Sequence, residues 1–63
     1  MMKLWIARDE DGDIYLYKNK PYLKAEGIWT CSDQEYFYLD EESFPEVTFE
    51  NSPQEVEIKL IKH

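Results

Sequence analysis

Apolar and polar positions alternate with period two near both ends of the chain, and that alternation predicts strands. Leu4 and Ile6 interleave with Trp5 and Ala7; beyond Asp11-Gly12, Ile14 and Leu16 interleave with Tyr15 and Tyr17. The two runs form a hairpin whose register sets its loop length. A two-residue loop at Asp11-Gly12 would oppose Ile6 to Tyr17 and mix the faces. A three-residue loop, Glu10-Asp11-Gly12, opposes Ile6 to Leu16 and Trp5 to Tyr17. A slip of one residue moves every side chain to the wrong face, so the pattern selects the longer loop, with Gly12 in the left-handed position of a G1 bulge. One face then carries Leu4, Ile6, Ile14 and Leu16, and the other Trp5, Ala7, Tyr15 and Tyr17.

Asn19-Lys20-Pro21 ends the second strand, because proline cannot donate to a ladder and restricts the residue before it. Tyr22 to Gly27 fits either a short edge strand or a crossing loop. Ile28-Trp29-Thr30-Cys31-Ser32 is β-branched and aromatic enough for a strand. Asp33-Gln34-Glu35 turns it into Tyr36-Phe37-Tyr38-Leu39, the returning strand of a second hairpin. Asp40 suits a helix N-cap and Pro45 stops the helix, which predicts one helical turn over 40–45, with Phe44 plugging one end of the core. Val47-Thr48-Phe49-Glu50 resumes as a strand and Asn51-Ser52-Pro53 turns it. In Val56-Glu57-Ile58-Lys59-Leu60 the aliphatic residues face inward and Glu57 and Lys59 face water. With no repeat, low-complexity run or linker, residues 1–63 read as one domain. The expected class is all-β: a small antiparallel meander of five to six short strands, as a partly closed barrel or a two-layer sheet.

A chain of 63 residues buries only about 60% of its unfolded surface, so the core needs large side chains. Two Trp, five Tyr and three Phe supply them. The single cysteine, Cys31, excludes an internal disulfide framework. The apolar run Met1-Met2-Lys3-Leu4-Trp5-Ile6 is too short for a signal-peptide core or a membrane span, so the expected location is the cytoplasm, with no membrane partner.

Charge adds an asymmetry. The formal net charge is −7, and residues 25–58 contain no Lys or Arg, only Glu26, Asp33, Glu35, Asp40, Glu41, Glu42, Glu46, Glu50, Glu55 and Glu57. Such a face repels phosphates and attracts basic partners; it also simply keeps a small domain soluble.

Candidate chemistry is sparse. Asp9-x-Asp11-Gly12-Asp13 lacks the glycine and glutamate spacing of a calcium loop, so these acids are read as turn residues. Cys31 and His63 cannot make a zinc site or a nucleophile–base pair by themselves, and Cys31 suits a buried small apolar residue. The carboxylates fall in turns or on outward positions, with little chain to build a cleft around them. No catalytic, metal-binding or cofactor-binding residue is assigned, no small-molecule site is evident, and the chain is not expected to be an enzyme. Lys18-Asn19-Lys20-Pro21-Tyr22-Leu23-Lys24, together with the tyrosines, could imitate the stacking platform of an oligonucleotide-binding barrel, but the net charge opposes it.

Several stretches resemble a group of short uncharacterised acidic proteins of gut-bacterial genomes and their phages. They are Lys3-Leu4-Trp5-Ile6-Ala7-Arg8-Asp9, Asp11-Gly12, Tyr15-Leu16-Tyr17, Trp29, Leu39-Asp40, Phe44-Pro45-Glu46-Val47-Thr48-Phe49-Glu50 and Val56-Glu57-Ile58. The resemblance implies a bacterial or phage origin and brings no activity or functional residue with it.

The aromatic excess is the remaining signal, since Tyr and Trp anchor protein interfaces. The expected function is a non-enzymatic interaction module that binds a protein partner or itself through Trp5, Tyr15, Tyr17 and Trp29. The alternatives are an acidic nucleic-acid mimic that occupies a basic groove, and an oligonucleotide-binding barrel. The competing explanation for the same aromatics is a sheet that curls over and buries both faces.

Overall fold

The computed structural model describes residues 2–58, and every regular element among them is a strand: β1 (Met2–Arg8), β2 (Ile14–Tyr17), β3 (Tyr22–Lys24), β4 (Ile28–Thr30), β5 (Tyr36–Leu39) and β6 (Gln54–Ile58). They form an antiparallel four-stranded sheet of order β5-β2-β1-β6 and a separate two-stranded ribbon, β3-β4. Among the described residues the sheet does not close into a barrel. Lys59 and Leu60, expected to continue the last strand, lie outside the described residues, as does His63.

The β1–β2 register follows the hydrophobic pattern. Trp5 opposes Tyr17 and Ile6 opposes Leu16. Asp9 donates its N–H to the Asp13 carbonyl, Gly12 donates to the Asp9 carbonyl, and Gly12 has φ of 103°. These are the bonds of a three-residue loop with a G1 bulge. The β3–β4 hairpin repeats the device: Lys24 opposes Ile28, Gly27 donates to the Lys24 carbonyl at 3.1 Å, and Gly27 has φ of 77°. The two turns touch, with the Glu10 N–H on the Gly27 carbonyl at 2.9 Å.

The sheet has a small core on each side. On the aliphatic face Ile6, Ile14 and Val47 are buried, with Leu16, Leu39 and Val56 packed on them. On the aromatic face Ala7, Tyr17 and Cys31 are buried, with Trp5, Tyr15 and Trp29 around them. The ribbon covers this second face.

Three expectations are corrected. The strand at 28–32 and the strand at 36–39 are not a hairpin pair: β4 pairs with β3, while β5 pairs with β2 and brings Tyr36 and Tyr38 opposite Tyr17 and Tyr15. The helical turn over 40–45 is replaced by two successive turns, closed by Ser43 N–H on the Asp40 carbonyl and Val47 N–H on the Phe44 carbonyl. Phe44 sits at φ 51°, a left-handed conformation that a right-handed helix cannot contain. Phe44 is half-exposed, and Val47 fills the core position expected of it. Finally, 47–50 is not a strand. Thr48 and Asn51 bond each other's backbone N–H through their side chains, and Ser52 Oγ donates to the Thr48 carbonyl. These local bonds occupy groups that a ladder would need.

Arg8 holds this irregular segment. Its guanidinium donates to the carbonyls of Gly12 (2.6 Å), Glu41 (3.1 Å), Ser43 (2.9 Å), Phe44 (3.3 Å) and Val47 (2.7 Å). Its own backbone N–H donates to Ser52 Oγ at 2.9 Å. One forked cation thereby satisfies carbonyls that have no ladder to join.

Candidate functional site

The four aromatic residues expected to form an interface share one face, but they are turned toward each other and the ribbon. Tyr17 is only 1% exposed, and its hydroxyl donates to the Trp29 carbonyl at 3.0 Å. Trp29 N–H donates to Asp9 Oδ1 at 2.8 Å, so one β4 residue is clamped at both backbone groups, by Tyr17 of β2 and by Asp9 just past the end of β1. The Trp29 ring packs beside Phe49, with centroids 6.5 Å apart, and its Nε1 is buried without a hydrogen-bond partner. Trp5 lies under the Lys20 ammonium, 5.4 Å from the ring centroid. Tyr15 is half-buried, edge-on to Tyr36 and Tyr38, both at 5.4 Å.

Burial sets the chemistry of this face. Loss of hydration raises the Asp9 carboxyl above its ordinary value, against the Trp29 hydrogen bond, and Asp11 and Asp13 add to the rise. The Tyr17 hydroxyl is pushed far above the usual phenolic range, first by burial and then by the nearby Asp9 charge. Burial also raises the Cys31 thiol, whose Sγ lies 3.6 Å from the Asn19 carbonyl oxygen. It is a packing residue, without the thiolate character that nucleophilic cysteines need. An open cleft of about 230 Å³ runs between ribbon and sheet past Asp9, Tyr15, Lys24 and Tyr36.

The acids near the turns have local structural partners. Asp11 Oδ1 accepts the Asp13 N–H and Asp40 Oδ1 accepts the Glu42 N–H. Asp33 accepts the Glu35 N–H at 2.9 Å, which, with the Asn19 side-chain amide, holds its carboxyl below the ordinary value. Among the described residues no three of His, Cys, Asp and Glu converge as a metal ion would require. In the basic segment Lys18 faces Glu35 at 3.4 Å and Lys20 covers Trp5, so these two cations are engaged within the fold.

Three consecutive accessible aromatics lie on β5, while Tyr22 and Phe44 are exposed singly elsewhere. Tyr36, Phe37 and Tyr38 are 43%, 70% and 59% exposed, on a strand that forms one edge of the sheet. Beside Phe37 an open groove of about 520 Å³ runs over Leu4, Leu16 and the Lys18–Glu35 pair. The sequence marked the tyrosines as aromatic excess but placed β5 inside a hairpin, which would have hidden one of its sides.

Among the described residues no helix is long and apolar enough to cross a membrane. Comparison with protein-family models, with curated proteins and with solved structures finds no match to this chain.

Proposed function

We propose that this domain is a non-enzymatic protein-interaction module whose contact surface is the β5 edge. One observation carries the reading: among the described residues, three consecutive aromatic residues are exposed on a strand with one unpaired side. An apolar edge strand without a lysine, proline or bulge is costly to leave open, because it invites pairing with another chain. Phe37 on one face and Tyr36 and Tyr38 on the other are the anchors. Tyr15 and Tyr17 contribute by packing against the two tyrosines, and Trp5 and Trp29 by covering the buried Ala7, Tyr17 and Cys31 beneath.

The test combines light scattering on the purified domain with cross-linking in its native host extract. Self-association or a reproducible partner is expected, and both should be lost in Phe37→Ser and Tyr38→Ser variants that stay folded. A monomer that cross-links to nothing overturns the proposal.

A second reading, an acidic mimic that fills a basic groove on a nucleic-acid-handling protein, draws support from the exposed acids between 25 and 58. Binding that collapses with salt and ignores Phe37→Ser would favour it.

A further inference from the structure

The hydrogen-bond phase of the sheet says which backbone groups of β5 are free. Asp9 bonds Asp13 across the hairpin, so the odd-numbered residues of β2 face β1. Lys18 N–H donates to the Glu35 carbonyl at 3.4 Å, so the even-numbered residues of β2 face β5. Antiparallel pairs alternate between bonded and non-bonded positions. Phe37 and Leu39, opposite Leu16 and Ile14, therefore bond inward. Tyr36 and Tyr38 turn their N–H and C=O groups to the open edge, between an aromatic face and the Phe37 groove.

Charge decides what pairs there. Asp33 and Glu35 precede the strand, Asp40, Glu41 and Glu42 follow it, and all are exposed. A second copy placed antiparallel, with Phe37 opposite Phe37, would set Asp33 against Glu41 at both ends. It would also join two chains of net charge −7. Like charges at both ends of a short pairing oppose it. An extended segment with an apolar centre and basic ends meets attraction at the same places.

Resting on the interaction-module reading, we infer that β5 accepts an extended segment of a partner as a fifth strand of the sheet, bonded to the backbone of Tyr36 and Tyr38 and selected by Lys or Arg flanking an apolar centre. Main-chain bonds supply affinity in such strand addition, and alternate side chains supply specificity.

The probe is a displayed library of random peptides, followed by the most enriched peptide in isolation. Enriched sequences should carry Lys or Arg on both sides of a β-branched or aromatic core. On adding the peptide, amide exchange at Tyr36 and Tyr38 should slow while that of Phe37, already bonded to β2, stays unchanged. Tyr38→Pro removes an outward N–H without breaking a ladder bond and should weaken binding by about tenfold or more, whereas Tyr38→Phe should not. Tyr36→Pro makes the same test if Tyr38→Pro does not fold, and the exchange measurement needs no variant. Enrichment of uncharged or acidic peptides, no enrichment, or unprotected Tyr36 and Tyr38 amides would each overturn the inference. So would a dimer of the domain abolished by Tyr38→Pro, which would name the second copy as the occupant. Sensitivity to Phe37→Ser without amide protection would leave the interaction-module reading standing and remove strand addition alone.

Discussion

Asp9 accepts the backbone N–H of Trp29 at 2.8 Å across two separate sheets. The bond fastens the ribbon through an acceptor that is itself uncomfortable as an anion, because burial raises its pKa above 3.8. A carboxyl raised in the folded state stabilises most below its unfolded pKa, and that contribution is lost as pH rises through the folded value. Asp9→Asn keeps an acceptor for Trp29 and removes the charge. It should be at least as stable as the parent at neutral pH in urea denaturation, with the difference shrinking as pH falls toward 3.8. A large loss of stability at neutral pH would show that the charge itself holds the ribbon.

Tyr17 completes the clamp on Trp29. Tyr17→Phe leaves a carbonyl without its donor and should cost about 1–2 kcal/mol. Because burial raises this hydroxyl, its contribution is present below the ordinary phenol value of 10.0 and lost as pH rises above it. Near-ultraviolet titration should therefore show one tyrosine that ionises only as the domain unfolds, and that phase should vanish in Tyr17→Phe.

Arg8 should tolerate no substitute. Lys carries the charge but has no fork to reach five carbonyls, so Arg8→Lys should cost about 2–3 kcal/mol. Chemical-shift changes should concentrate at 41–47.

The two glycine turns give a comparison. A methyl at Gly12 meets nothing within 4 Å, whereas one at Gly27 would lie 2.9 Å from Glu10 Cβ. Gly12→Ala should cost about 1–2 kcal/mol from backbone conformation alone. Gly27→Ala should cost more and loosen the Glu10–Gly27 bond, read as faster amide exchange at Glu10.

Local rules made the β1–β2 register readable, because aliphatic and aromatic residues sort cleanly to two faces around Gly12. The same rules hold a second signal: Ala25-Glu26-Gly27 repeats the loop length of Glu10-Asp11-Gly12 and pairs β3 with β4. Tyr22-Leu23-Lys24 is too short to show a period, and β5 finds β2 across a long stretch of chain, where sequence pattern is silent. The role of Arg8 is not legible in the sequence, because its partners are backbone carbonyls, which leave no trace in residue identities. The aromatic face was legible for the same reason as the register. Which of its rings stay open depended on the ribbon, and only the three-dimensional pairing places it.

The two cores lie on opposite sides of one sheet, separated by β1, β2 and β5. The ribbon is fastened to the sheet mainly by the Trp29 clamp, the Glu10–Gly27 bond and packing on Cys31. Cooperative units in a domain follow such divisions. Amides of the ribbon are therefore expected to exchange faster than those of β1 and β2, because the Ile6, Ile14 and Val47 side of the sheet does not depend on the clamp. Opening of the ribbon would uncover Tyr15 and Tyr17, which the Trp29 clamp otherwise keeps covered.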